Sequence, residues 1–277
     1  MLKMHTAPPS TDSSLLKEQK RKPHEGNASW LERALKSESS ESGSIVLLGG
    51  ANLTHFRLRA AQSQVRSDLL PSFWSHVAIV CPGSKASLYE TSLEPAGGNF
   101  GVPLRHGIQT GNITAYDDPN SFPNIAMIRW ELRTGSLGQN ETFGKALNAA
   151  IARLYLDRGT VDIPSALWAW LGYAWGISEQ TNPLLRGIGI PSAIMVETVF
   201  SMLGIELTPG LASQSTCPEA IWQAAKWWGD FYDSEATLTQ GRPSGVVHIG
   251  QPAAAVTDER KTETAKAVLQ RKSSPRR

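Results

Sequence analysis

Cysteine is almost absent from this 277-residue chain: only Cys81 and Cys217 occur, far apart and without paired spacing. A disulfide framework or a thiolate metal site would need several cysteines at defined intervals, so both are excluded and reduced thiols are expected. Long hydrophobic runs are missing as well. No stretch of about 18 apolar residues is there to cross a bilayer, and the opening "MLKMHTAPPSTDSSLLKEQKRKPHEGN" has no apolar segment followed by a small-residue cleavage site. These absences point to a cytoplasmic protein without a transmembrane segment. His55, His106 and His248 are scattered, with no carboxylate or cysteine at ligand spacing, so neither a metal nor another cofactor is expected. "GGANLTHF" lacks the Gly-Lys-Ser/Thr ending of a phosphate loop. There is no internal repeat, and the sequons "NLT" and "NIT" would stay unmodified in such a compartment.

Excess charge of one sign is lacking too. The formal net charge is +2, and the segment "DERKTETAKAVLQRKSSPRR" alone carries seven Lys or Arg against three Asp or Glu. The centre is therefore not basic, which argues against a specific nucleic-acid surface. Residues 1–42 are rich in Ser, Lys, Glu and Pro, with too few large apolar groups to offset the entropy of ordering. They are expected to be disordered, apart from a short helix around "ASWLERALKS". Residues 250–277 read likewise as a linker and a disordered basic tail, leaving 43–249 as one domain.

Within that domain the pattern predicts strands at "SIVLLGG", "WSHVAIVCPG", "ASLYETS" and "IAMIRWEL", from β-branched and leucine runs stopped by Gly or Pro. Helical spacing covers "ANLTHFRLRAAQSQVRSDLLP", Phe143 to Tyr155, "SALWAWLGYAWGI", "PSAIMVETVFSMLG" and "CPEAIWQAAKWWGDFY". Strands first and helices packed against them make an α+β layout.

His76 sits inside the apolar strand "SHVAIV" and needs a partner there. Glu90, in "LYETS" on the next strand, is close enough in sequence to supply one. If the strands pair with Glu90 near His76, the carboxylate holds one imidazole nitrogen and leaves the other as a general base. A nucleophile at a helix start would complete the set, since unpaired backbone N–H groups there also stabilise an oxyanion. Ser192, in "IPSAIMVETVFSMLGIEL", is at such a start.

Taken together, "GSIVLLGG", "WSHVAIV", "LYETS", "MIRW" and "PSAIMVETVFSMLGIELTPG" resemble the permuted papain-like amidases of the YaeF/YiiX kind, relatives of NlpC-type cysteine peptidases, over roughly residues 43–230. The resemblance implies a circularly permuted papain-like fold with a small antiparallel sheet. It also implies His76 as base, Glu90 as its orienting group, and an amide or ester substrate, peptide or lipid. Two departures stand out. Gly43 and Ser44 occupy the place of a Gly-Asp pair, and counting back from Gly204, Ile205 and Leu207 puts Ser192 where the family has its cysteine.

Ser192 then has three readings. It is the nucleophile of a Ser-His-Glu arrangement, a relic in a catalytically inactive binding module, or simply an N-cap, a role in which serine contributes about 1 kcal/mol. Cys217 is the alternative nucleophile, because a helix N-terminus before Pro218 lowers a thiol pKa. Cys81 reads as a packing residue. Trp168, Trp170, Tyr173, Trp175, Trp222, Trp227 and Trp228 either line an apolar groove or, more simply, fill the core. Arg57, Arg59 and Arg66 read as a solvated helix face, with carboxylate or phosphate binding as the sharper alternative. The expected activity is that of a hydrolase or acyltransferase working through an acyl-enzyme.

Overall fold

The computed structural model describes residues 16–36, 43–82, 87–93, 105–132, 142–156, 161–176, 181–228 and 240–250. Its centre is one seven-stranded sheet built from β1 (Leu16–Glu18), β2 (Gly43–Gly49), β3 (His76–Val80), β4 (Ser87–Glu90), β5 (Gln109–Asn112), β6 (Asn124–Leu132) and β7 (Gln240–Ile249). They lie in the order β1-β7-β6-β2-β3-β4-β5. The pairs are antiparallel except β1 with β7, which run parallel. The sheet is thus larger than the small antiparallel one expected, and mixed. β1, β5 and β7 are short or polar, and for that reason carried no clear strand pattern.

Both faces of the sheet are covered, and alternation along the central strands divides the core in two. Ile45, Leu47, Val77, Ile79, Ala126, Ile128 and Trp130 face helices α2 (Leu53–Ala61), α3 (Phe143–Leu156), α4 (Ile163–Trp175), α5 (Pro191–Met202) and α6 (Pro218–Lys226). Val46, Leu48, Ala78, Val80, Ile125 and Met127 face the other way, toward Trp30, Leu31 and Ala34 of α1 (Asn27–Lys36).

That second layer corrects the expectation for residues 1–42. Residues 16–36 are not a disordered extension: the short helix expected around "ASWLERALKS" is present as α1, and with an edge strand before it this segment closes one face of the sheet. Asn27, Trp30, Leu31 and Ala34 fall at i, i+3, i+4 and i+7 and are all buried, so one stripe of a short polar segment meets the sheet. Each large side chain buried this way is worth about 1.5–3 kcal/mol. The composition of residues 1–42 diluted that signal. Residues 1–15 and 37–42, and the tail from 251 on, lie outside the described residues.

Candidate functional site

β3 begins at His76, and its backbone is pinned where the strand meets β2: the Ser75 amide donates to the Leu48 carbonyl (2.9 Å), and Ser75 Oγ accepts from the Gly50 amide (3.0 Å). The β3–β4 register pairs Ile79 with Tyr89 and Val80 with Leu88. Continued by one step, it places Glu90 opposite Ala78, on the same face as His76 and one diagonal away. Diagonal neighbours are about 7–8 Å apart, a span these two side chains can close. His76 Nε2 and Glu90 Oε2 are 2.9 Å apart, and both residues are buried.

Sequence reasoning missed a third group at this pair. Tyr116, at the end of the 3-10 turn Ile113–Tyr116, donates its hydroxyl to the same Glu90 oxygen at 2.7 Å. Its ring stacks on the imidazole, with centroids 5.4 Å apart and 26° between planes. Gln109 of β5 contacts Glu90 Oε1 at 3.4 Å. Burial works against the Glu90 charge, but the hydrogen bond and charge of His76, then the bonds from Tyr116 and Gln109, outweigh it and hold the carboxyl below its ordinary range. Gly111 is required here by space. A β-carbon on it would overlap Glu90 Oε1.

Ser192 reaches the same place from the opposite layer. Its helix start is fixed from several sides: the Gly189 and Ile190 amides donate to the Gln214 and Thr216 carbonyls (2.8 and 3.0 Å), and Trp170 Nε1 donates to the Gly189 carbonyl (2.6 Å). The N-cap of α5 is Ile190, with Pro191 in its first turn and no side-chain cap. This overturns the reading of Ser192 as a cap. Proline presets the helical φ one residue earlier, so Ser192 is already inside the helix and its hydroxyl is not in a capping position. The residue is 2% exposed, and its Oγ has no hydrogen-bond partner among the described residues.

His76 and Ser192 both line one cavity of about 310 Å³. Thr54, His55 and Leu58 from α2, Thr91, Ser92 and Leu93 after β4, and Tyr116 and Phe122 complete most of its wall. Among the described residues no Asp, Glu, Lys or Arg lines it. Polar hydroxyls and imidazoles therefore share the space with apolar surface, a mixture typical of small-molecule sites.

The Ala193 and Ile194 amides are already bonded to the Ile190 carbonyl (both 2.9 Å), and Pro191 has no N–H. The first turn of α5 thus offers less to an oxyanion than a generic helix start. The Ser192 amide makes no such bond among the described residues.

Cys217 is placed elsewhere. It is the N-cap of α6, as its position before Pro218 suggested, yet it is 1% exposed and absent from the cavity wall. Burial pushes its thiol up to about 12, the reverse of the lowering expected from a helix start, because desolvation outweighs the backbone hydrogen bonds there. Cys81 is buried as well, and burial raises its thiol to about 11.

The remaining sequence candidates have structural partners. Arg57 donates to the Ala174 carbonyl near the end of α4 (3.1 Å). Arg59 is fully buried, donating to the Ser72 and Gly50 carbonyls (2.7 and 3.2 Å), so it is no part of a solvated face. Arg66 pairs with Asp68 and Glu219 and covers the Phe73 ring. His106 is buried against the Val161 carbonyl, and His248 Nδ1 accepts from the Arg21 amide (3.2 Å). Of the tryptophans, Trp170, Trp222 and Trp228 are core, whereas Trp168 and Trp175 are exposed.

Among the described residues no group of three or more His, Cys, Asp or Glu is arranged to hold a metal ion, and no helix is long and apolar enough to cross a membrane. The chain matches no family model, no curated protein and no solved structure, so the side-chain geometry alone carries the functional argument.

Proposed function

We propose that the chain is a hydrolase or acyltransferase of the permuted papain-like kind, acting on an amide or ester through an acyl-enzyme on Ser192. The observation that carries the reading is the buried Ser192 Oγ, unpartnered among the described residues, in a cavity whose wall also holds His76. Burying a hydroxyl without a partner costs roughly 1–3 kcal/mol, and a site that uses the oxygen is a physical reason to retain it.

With Nε2 engaged by Glu90, Nδ1 of His76 is the nitrogen assigned to proton transfer. Ser192 Oγ attacks the carbonyl carbon and its proton passes to His76, while the carbonyl electron pair becomes an oxyanion facing the Ser192 amide. His76 returns the proton to the leaving amine or alcohol as the C–N or C–O bond breaks. Water, or another nucleophile, then attacks the acyl-enzyme with His76 again as base, and the acid or new acyl product leaves with Ser192 restored. Glu90 orients the imidazole and balances its charge. A wall without Asp, Glu, Lys or Arg among the described residues suits a neutral acyl group.

A fluorophosphonate probe tests this. The wild-type chain should be labelled at Ser192, with labelling abolished in Ser192→Ala and His76→Ala and retained in Cys217→Ala. An unlabelled wild type that still binds ligand in the cavity would make the domain a silent binding module. Loss of iodoacetamide reactivity and turnover only in Cys217→Ala would move the nucleophile to the thiol.

A further inference from the structure

The Tyr116 ring belongs to the apolar core beside α1, but the place of its hydroxyl is dictated neither by packing nor by the two-residue His76–Glu90 pair. Its hydroxyl meets the Glu90 oxygen that also holds His76, and the same hydroxyl lies 3.5 Å from His76 Nε2. A buried phenol needs one hydrogen-bond partner, and a nearby backbone carbonyl would serve as well. The ring also lines the cavity and lies edge-on to Phe122, with centroids 5.1 Å apart.

Its own backbone is held from the far layer. Asn27, at the start of α1, donates through Nδ2 to the carbonyls of Tyr116 (2.7 Å) and Phe122 (2.9 Å), while its Oδ1 accepts from Arg21 (2.5 Å). The turn bearing Tyr116 is thus held by the N-terminal segment as well as by Asn112, which ends β5 beside the strand that carries Glu90.

We propose that Tyr116 is the positioning residue of the His76–Glu90 pair: its hydroxyl fixes which Glu90 oxygen faces the imidazole, and its ring fixes the imidazole plane. The inference rests on the acyl-transfer reading for its catalytic consequence, but not for its physical content. Two donors on one carboxylate oxygen share its charge, so the phenol tempers the hold of Glu90 on the imidazole proton. The Tyr116 hydrogen bond is one of the contacts that hold the Glu90 carboxyl low, so losing it lets Glu90 keep its proton to higher pH, in a form that no longer orients the imidazole. The groups facing the pair are Tyr116 from the 3-10 turn and Gln109 from β5, with His55 of α2 and Ser192 of α5 on the same cavity wall; Cys81 follows β3 beyond Glu90.

The test compares wild type, Tyr116→Phe and Ser192→Ala for fluorophosphonate labelling and p-nitrophenyl acetate turnover across pH, together with the Glu90 side-chain carbon signal followed by NMR during acid titration. In Tyr116→Phe the ring remains and the hydroxyl is gone. Labelling and kcat should fall about tenfold with KM unchanged, and the acid limb of the rate profile and the Glu90 titration should both move up by about one pH unit, the size expected for one hydrogen bond to a charged group. A rate loss with both titrations unmoved would reduce Tyr116 to a wall residue and overturn the proposal, as would no change at all. If the wild type is neither labelled nor active, the NMR titration still decides: a shift in Tyr116→Phe upholds Tyr116 as the residue that positions the pair while the acyl-transfer reading falls, and an unmoved titration overturns both.

Discussion

Helices α5 and α6 start alike and end up doing opposite things. Each has proline in its first turn, after an N-cap (Ile190 or Cys217) that makes no side-chain capping bond, and each puts a buried polar residue next, Ser192 in one and Glu219 in the other. Around Glu219 everything is satisfied. Ser72 donates to it at 2.5 Å, Gln223 at 2.6 Å and Arg66 at 3.4 Å, while its own amide donates to Gln62. Burial still pushes the Glu219 carboxyl up, and those partners oppose the shift. Ser192 has no such set, and its oxygen faces a cavity shared with His76. A polar group that the fold ties down from several elements is there to join those elements; one that the fold buries and leaves open is available to something else.

The largest effect that could break this contrast is on reactivity. Ser192→Ala should lower fluorophosphonate labelling at least 10³-fold, a size typical of removing a nucleophile, yet leave the fold at least as stable, because no hydrogen bond is lost and a buried unpartnered hydroxyl is removed. Glu219→Ala should do the reverse. It takes the acceptor from the buried Ser72 hydroxyl and the Gln223 amide and leaves Arg66 with Asp68 alone, so chemical denaturation should show a loss of about 3 kcal/mol, with labelling per folded molecule unchanged. If Ser192→Ala were the more destabilising of the two, the difference drawn between the helices would be wrong.

Each helix also buries a carboxylate, which sharpens the comparison through pH. Glu197 of α5 accepts from the Leu207 and Thr208 amides through Oε1, but Oε2 has no hydrogen-bond partner among the described residues. Burial raises its carboxyl from 4.5 to about 7. An acid raised on folding stabilises the fold while both states are protonated, and that contribution is lost as pH climbs through its ordinary value toward 7, on the order of 3 kcal/mol in all. Melting curves at pH 5 and pH 8 should therefore show a smaller drop for Glu197→Gln than for wild type; equal drops would mean the carboxyl is not perturbed.

The smallest effect belongs to Cys217. Cys217→Ala removes a buried thiol outside the cavity and should cost about 1 kcal/mol, with labelling of Ser192 unaltered.

His76 and Glu90 were legible because each is a polar residue in an otherwise apolar strand, and neighbouring antiparallel strands bring such residues onto one face. Tyr116 was not, since its turn reaches the pair through Asn27 and α1, a segment whose polar composition hid a four-residue buried stripe. The uninterrupted apolar run of "SIVLLGG" did hold a signal for that missing layer, because a strand buried on both faces needs a second cover. The capping role of serine was plausible from its residue type and failed because Ser192 falls two positions past the N-cap Ile190, a start that Pro191 decided.

The sequence by itself determined the alternation of the central strands, the positions of the main helices and the isolation of His76 and Glu90 among apolar neighbours, because those follow from local periodicity. Only the tertiary structure decided that α1 closes the sheet, that Cys217 is sealed in the core while Ser192 shares a cavity with His76, and that a tyrosine from a distant turn completes the pair. Burial, hydrogen-bond partners and shared cavities are properties of what lies across a contact, and no local pattern encodes the other side.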